Sequence, residues 1–230
     1  MSVYAVADLH GQLELWKQIQ DFLEEDDVIY VIGDCGDRGP EPWETIKAVA
    51  ADHRAIYIKG NHEDMLVKAM EEWYDLWDTH NTQLLYYNGG QGTLEGWIED
   101  GAKVDWINYL KRLPNIITYT NKDNFEMILS HAGFTPNGDK IPTEKQILWD
   151  REHFNKKWTG KENQIIVHGH TNIVFIMSKL NKDVTDMHVE DIGAFWYCDN
   201  HKVGIDCGSY ITNTTVLLDL DTFDQHIFSL

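Results

Sequence analysis

At 230 residues, 43% of them apolar, the chain is long enough to bury a substantial core and is expected to form one domain over residues 1–230. A formal net charge of −19, from 38 acidic and 19 basic residues, argues against a nucleic-acid backbone or an anionic membrane surface as partner. The three cysteines, Cys35, Cys198 and Cys207, are odd in number and form no CxxC, so neither a disulfide framework nor a cysteine-only zinc site is indicated, and a reducing, cytoplasmic setting is the default.

The opening MSVYAVADLHG lacks a basic n-region, and its apolar run is too short for a signal or membrane helix, so it reads as a first core strand. Between SVYAVA and DVIYVIG, the apolar residues Leu13, Leu15, Trp16, Ile19, Phe22 and Leu23 recur at helical spacing, which predicts a βαβ opening. A helix over about Glu41–Ala51, with Pro40 and Pro42 near its first turn, leads to the strand AIYIKG, so this part of the sheet should be largely parallel. From about Glu63 to Leu113 the pattern is helical and tryptophan-rich, broken by glycines at NGGQG and Gly101, and is expected to be a helical excursion. Beyond Pro114 come the short strand-like runs NIITYT, FEMILSHAG, QIIVHGHT, KVGIDCG, TTVLLDLDTF and DQHIFSL, separated by turn signals. The expected class is therefore α/β, with two packed mixed β-sheets flanked by helices.

The strong polar clusters fall at the ends of apolar runs, each next to glycine: ADLHG with Asp8 and His10, GDCGDRG with Asp34, Asp37 and Arg38, GNHED with Asn61 and His62, SHAG with His131, and VHGHT with His168 and His170. Glycine lets the chain turn sharply there and lets backbone approach a ligand, and in open α/β sheets this rim is where ligands bind. Asp8 and His10, two apart in an extended segment, would point the same way and make half of a metal site. With Asp34, Asn61, His131 and His170 the set becomes two carboxylates, three imidazoles and an amide oxygen, enough for two divalent ions. Mixed N/O donors without thiolate suit Mn²⁺, Fe or Zn²⁺ better than Ca²⁺, and a bridging carboxylate would hold two ions about 3.5–4 Å apart.

DLHG, GDCGDRG and GNHE, followed in order by HAG, WDRE and GHT, resemble the signature motifs of the phosphoprotein phosphatases among the calcineurin-like metallophosphoesterases, in particular the bacteriophage lambda protein phosphatase type. The resemblance runs from Asp8 to VGIDCG and implies the four-layer fold of that family. It also implies two divalent metal ions, with Mn²⁺ expected and Fe or Zn²⁺ as alternatives. Asp8 and His10 would hold the first ion, Asp34 would bridge both, and Asn61, His131 and His170 would complete the second. By the same resemblance Asp37 orients His62, and Arg38 and Arg151 hold phosphate oxygens, a role that suits guanidinium groups. A metal-bridging water or hydroxide would attack phosphorus directly, with His62 as general acid.

The implied activity is phosphomonoester hydrolysis, with phosphoserine or phosphothreonine proteins, or small phosphoesters, as substrates. A symmetrical dinucleoside tetraphosphate hydrolase is the alternative; it ranks lower because few cations are expected for a longer polyphosphate in so acidic a chain. A catalytically silent metal-bound module would have lost a ligand or His62, and none is lost. Arg38 could instead pair with Glu41, and Arg151 with Glu152. His168 is expected behind the ligands, the nine tryptophans in core and lid packing, and Cys35 and Cys207 as small packing residues. No segment is indicated for docking a regulatory subunit.

Overall fold

The computed structural model describes residues 1–74, 79–138, 140–185 and 187–230. In chain order its elements are β1 (Val3–Val6), α1 (Leu13–Phe22), β2 (Val28–Ile32), α2 (Pro42–Ala51), β3 (Ala55–Ile58), α3 (Asn61–Glu72), α4 (His80–Tyr87), α5 (Gln91–Glu99), α6 (Val104–Lys111), β4 (Ile116–Thr120) and β5 (Glu126–Ser130). There follow α7 (Glu144–Trp149), β6 (Gln164–His168), α8 (Ile173–Lys179), β7 (Phe195–Tyr197), β8 (Lys202–Gly204), a single helical turn α9 (Ser209–Thr212), β9 (Thr214–Asp219) and β10 (Gln225–Ser229).

Two five-stranded sheets form, ordered β10-β9-β1-β2-β3 and β4-β5-β6-β8-β7. In the first, β1, β2 and β3 are parallel and β9 and β10 antiparallel. In the second, β5, β6 and β8 are parallel between antiparallel edges. The two packed mixed sheets expected from the sequence are thus the two found.

Alternation along β1 shows how the layers assemble. Val3, Ala5 and Ala7 face the space between the sheets, where they join Met127, Leu129, Ile165 and Val203, while Tyr4 and Val6 face the helices and join Trp16, Ile19, Trp43 and Trp97. On the outer face of the second sheet, Ile176 of α8 packs on Phe154 and Tyr197. The order is helices, sheet, sheet, helix. Beyond Pro114 the sequence reading anticipated strands but not the helices α7 and α8 or the three-residue strand β7. Each is short, and α8 follows directly on a motif whose glycine and histidine dominate the local pattern.

Between Asn61 and Lys111 the described residues form the four helices α3 to α6; residues 75–78 of the expected excursion lie outside the described residues. Among the described residues no helix is long and apolar enough to cross a membrane.

Candidate metal centre

The parallel strands β1 and β2 end side by side, and the loops beyond them stay paired: His10 N donates to Asp34 O at 2.9 Å and Gly11 N to Cys35 O at 2.7 Å. At the ends of β5 and β6, Gly169 N donates to His131 O at 2.9 Å. His170 N donates to Asp8 Oδ2 at 2.9 Å, which joins the rims of the two sheets. A Cβ at position 169 would run into Asp8 Oδ2, and one at position 60 into Asp34 Oδ1, so both loops depend on glycine for close approach. Six of the ten candidate residues, Asp8, His10, Asp34, Asp37, Arg38 and His170, have left-handed backbone. Non-glycine residues rarely adopt it, and such strain concentrates at functional sites.

Asp34 lies at the middle of the site. Its Oδ1 accepts the His62 amide at the start of α3 at 3.0 Å and stands 3.3 Å from His131 Nε2; its Oδ2 is 3.7 Å from His10 Nε2. Burial opposes its ionisation, but the imidazoles of His131 and His62 hold it well below the usual carboxylate range. Asp34 belongs to both groups of side chains whose donor atoms lie within 4.8 Å of one another: His10, Asp34 and His62, and Asp34, His131 and His170.

Hydrogen bonds fix the tautomers. His131 Nδ1 donates to Ile32 O at 3.0 Å, which leaves the lone pair of neutral His131 on Nε2, 2.8 Å from Asn61 Oδ1. Two acceptors thus converge on a point where a cation belongs. Burial disfavours charge on this ring, yet the Asp34 carboxylate pushes His131 up to about 10, so a proton fills that place. His170 Nδ1 also stands against Asn61 Oδ1, at 2.9 Å, and its buried Nε2 has no hydrogen-bond partner among the described residues. His131 Nε2 and His170 Nδ1 thus converge on one amide oxygen, and two imidazole nitrogens beside a carboxylate are the donors expected of an N/O metal site. Three buried carboxylates, Asp8, Asp34 and Asp206, add to the demand for positive charge. Burial, and then Asp206, raises Asp8 well above its ordinary value, and burial pushes Asp206 up to about 6. The residues present therefore fit divalent cations.

His10 Nδ1 bonds to Gly36 O at 3.0 Å, which leaves Nε2 facing the site, and burial holds the ring well below the ordinary histidine value. Arg38 reaches two imidazoles, with Nη1 2.8 Å from His10 Nε2 and Nη2 2.8 Å from His62 Nε2, and its Nε and backbone N are held by Asn88 O and Gly89 O. It makes no pair with Glu41. His62 Nδ1 donates to Asp37 Oδ2 at 2.5 Å, and Thr93 of α5 donates to the other Asp37 oxygen. Burial works against charge on His62, but Asp34 and then Asp37 outweigh it and raise the ring above the ordinary value. Arg151 is exposed and donates to Thr171 Oγ1 at 3.0 Å, not to Glu152. His168 bonds through Nδ1 to Gly169 O and through Nε2 to the Tyr197 hydroxyl, behind the site. Asp8 belongs to neither triad of close donor atoms; His62 does.

The comparisons with known proteins agree with this chemistry. The model of the calcineurin-like phosphoesterase family matches residues 1–174. The chain belongs to that family. Among the family's proteins, serine/threonine-protein phosphatase 2 of Escherichia coli is 28% identical over 71% of this chain and 74% of its own length. The symmetrical bis(5'-nucleosyl)-tetraphosphatase of Erwinia tasmaniensis is 28% identical over 60% of this chain, which spans about half, 47%, of that relative. The solved structure of a metallophosphoesterase from Sphaerobacter thermophilus superposes over 100% of this chain and 88% of its own, with a TM-score of 0.56 at 12% identity, a likeness of fold.

Several residues that build this phosphoesterase site are not singled out by the sequence reading. Glu63 is buried and accepts four donors: Asp34 N and Gly60 N at 2.8 Å each, Cys35 N at 3.0 Å and the Tyr57 hydroxyl at 2.7 Å. Its place in GNHED marks it, but its task of clamping a loop 29 residues earlier does not show there. Tyr210 of α9 has its ring centroid 5.4 Å from that of His10 and 4.9 Å from Arg38 Cζ. Lys202 is fully buried and donates to Thr135 Oγ1 and His153 O at 2.7 Å each, tying the chain beyond His131 to the segment beyond Arg151. Glu63→Ala leaves four buried donors unsatisfied and is expected to cost about 2–4 kcal/mol. Urea denaturation should show it as a lower midpoint at unchanged slope; an unaltered midpoint would remove Glu63 as the clamp.

Proposed function

We propose that this chain is a metal-dependent phosphomonoesterase acting on phosphoserine or phosphothreonine in proteins, with Asp8 and His10 holding one cation, Asn61, His131 and His170 the other, and Asp34 shared. The observation that supports this reading is a carboxylate common to two donor triads beside His131 Nε2 and His170 Nδ1, which converge on Asn61 Oδ1. Two bound divalent cations, Mn²⁺ foremost, would supply an acidified water and a polarised phosphoryl group.

The chain's own residues do the rest. Asp34 and Asp37 favour the protonated ring of His62, and its Nε2 faces the site, so once Arg38 withdraws from that nitrogen it can carry the proton given to the leaving oxygen. Asp37, fixed by Thr93, sets the ring's orientation. Arg38 leaves His10 and His62 when substrate arrives and, with Arg151, grips the phosphoryl oxygens; the face of Tyr210 keeps its guanidinium at the mouth.

A second reading is hydrolysis of a dinucleoside tetraphosphate, the substrate class of the Erwinia relative. The same cations and the same His62 would serve an anhydride. Metal-loaded protein assayed on a phosphopeptide panel against diadenosine tetraphosphate separates the two. Turnover of phosphoserine and phosphothreonine peptides at a kcat/KM at least about tenfold above the dinucleotide supports the first; the opposite ratio supports the second.

A further inference from the structure

A cleft of about 450 Å³ opens between the end of α7 and the segment that follows it, lined by Lys145, Trp149, Asp150, Arg151, Glu152 and Lys156. It adjoins the metal centre. The Trp149 ring lies 6.3 Å from that of His170, and Arg151 reaches Thr171, the residue after His170, with one Nη while its remaining donors have no hydrogen-bond partner among the described residues. Arg151 therefore stands between the site and the cleft. Lys145 and Lys156 are exposed and have no ion-pair partner among the described residues.

In a chain with twice as many acids as bases, three cations around one cleft run against composition. Two carboxylates share the lining, Asp150, which accepts the Glu152 amide at 2.8 Å, and exposed Glu152, so the cleft keeps a net positive charge of one in a chain of −19. We propose that this cleft is a second anion subsite, which takes a further phosphate or carboxylate of a substrate whose scissile phosphate lies at the metal centre. The proposal rests on the phosphoesterase reading and narrows its substrate class to esters carrying a second anionic group. Lysine ammonium groups on flexible stems meet phosphate as point charges, and the volume admits a phosphate with the chain that connects it. The few cations expected for a polyphosphate are few in number, but the fold gathers three of them beside the reaction.

The test compares the wild type with a Lys145→Ala, Lys156→Ala double variant at low ionic strength. The substrates are p-nitrophenyl phosphate, a singly phosphorylated peptide, the same peptide with a second phosphoserine, and diadenosine tetraphosphate. The wild type should show a KM for a doubly anionic substrate about tenfold below that for the single phosphopeptide, and the variant and added salt should each erase the difference. Kinetics on p-nitrophenyl phosphate should not change. Loss of the advantage with the doubly phosphorylated peptide alone places the second anion on a peptide; loss with the dinucleotide alone places it on a polyphosphate chain. Equal KM for singly and doubly anionic substrates in the wild type would overturn the subsite while leaving the phosphoesterase intact. Absence of p-nitrophenyl phosphate hydrolysis in metal-loaded wild type would instead overturn the reading beneath it. A calorimetric titration of metal-free protein with a non-hydrolysable bis-phosphonate peptide gives a readout independent of turnover: affinity should fall about tenfold in the variant, and equal affinity counts against the subsite.

Discussion

Replacing His62 by Asn should lower kcat on a phosphoserine peptide by about 10²–10⁴, the usual worth of a positioned proton donor, while both metal ions stay bound. The reason lies in the geometry: Nδ1 is committed to Asp37 at 2.5 Å, so the ring can give a proton only from Nε2, which faces Asp34 and Arg38 in the site. The loss should shrink with p-nitrophenyl phosphate, whose leaving group departs without a proton. The pH profile gives a second check. Because its neighbours raise the folded-state pKa of His62 above the ordinary value, the acid form persists to higher pH than in a free imidazole, and wild-type kcat on alkyl phosphates should fall as pH rises through that raised pKa. The variant should lack this limb. Equal losses on both substrates, or loss of a metal ion, would make His62 a ligand, as its membership of the His10–Asp34 triad would then indicate.

The pair His168 and His170 should behave asymmetrically. His170→Ala removes the unpartnered Nε2 and the contact of Nδ1 with Asn61; it should empty or badly weaken one cation site and cut turnover by about 10³-fold or more, several kcal/mol of charge stabilisation. His168 has both ring nitrogens occupied, by Gly169 O and the Tyr197 hydroxyl, and burial holds it down to about 4, so it is neutral. It sits under the loop after His131, where a Cβ on Gly133 would meet its ring at 2.9 Å. His168→Ala should therefore lower metal affinity by about 10–100-fold at most, as changes behind a ligand do. Mass-spectrometric metal content of the two variants decides between them; two ions retained in His170→Ala would reverse the roles.

Much of this site was legible because its side chains leave the ends of strands, where glycine and polar residues interrupt apolar runs. Asp8, Asp34, Asn61, His131 and His170 announce themselves this way, and parallel pairing of β1, β2 and β3 brings the first three to one rim. What supports them was not legible, since it depends on contacts between distant segments. Thr93 reaches Asp37 across 56 positions, and nothing in QGTLEG distinguishes it from a surface threonine. Lys202, in NHKVGID, reads as the polar start of a strand but is fully buried against the carbonyl of His153. Spacing on a strand does not choose between His168 and His170; the resemblance picks His170, and the occupation of both His168 ring nitrogens by Gly169 O and the Tyr197 hydroxyl is visible only in the structure.

This cluster of N and O donors should work only when charged with divalent cations. Protein stripped by chelator and dialysed should hydrolyse p-nitrophenyl phosphate at background rate and regain activity with Mn²⁺ in step with the binding of two ions per chain. Asp34→Asn, which weakens the shared carboxylate, should bind one ion or none and stay inactive. Full activity in metal-free protein, or two tightly bound ions in Asp34→Asn, would contradict this dependence.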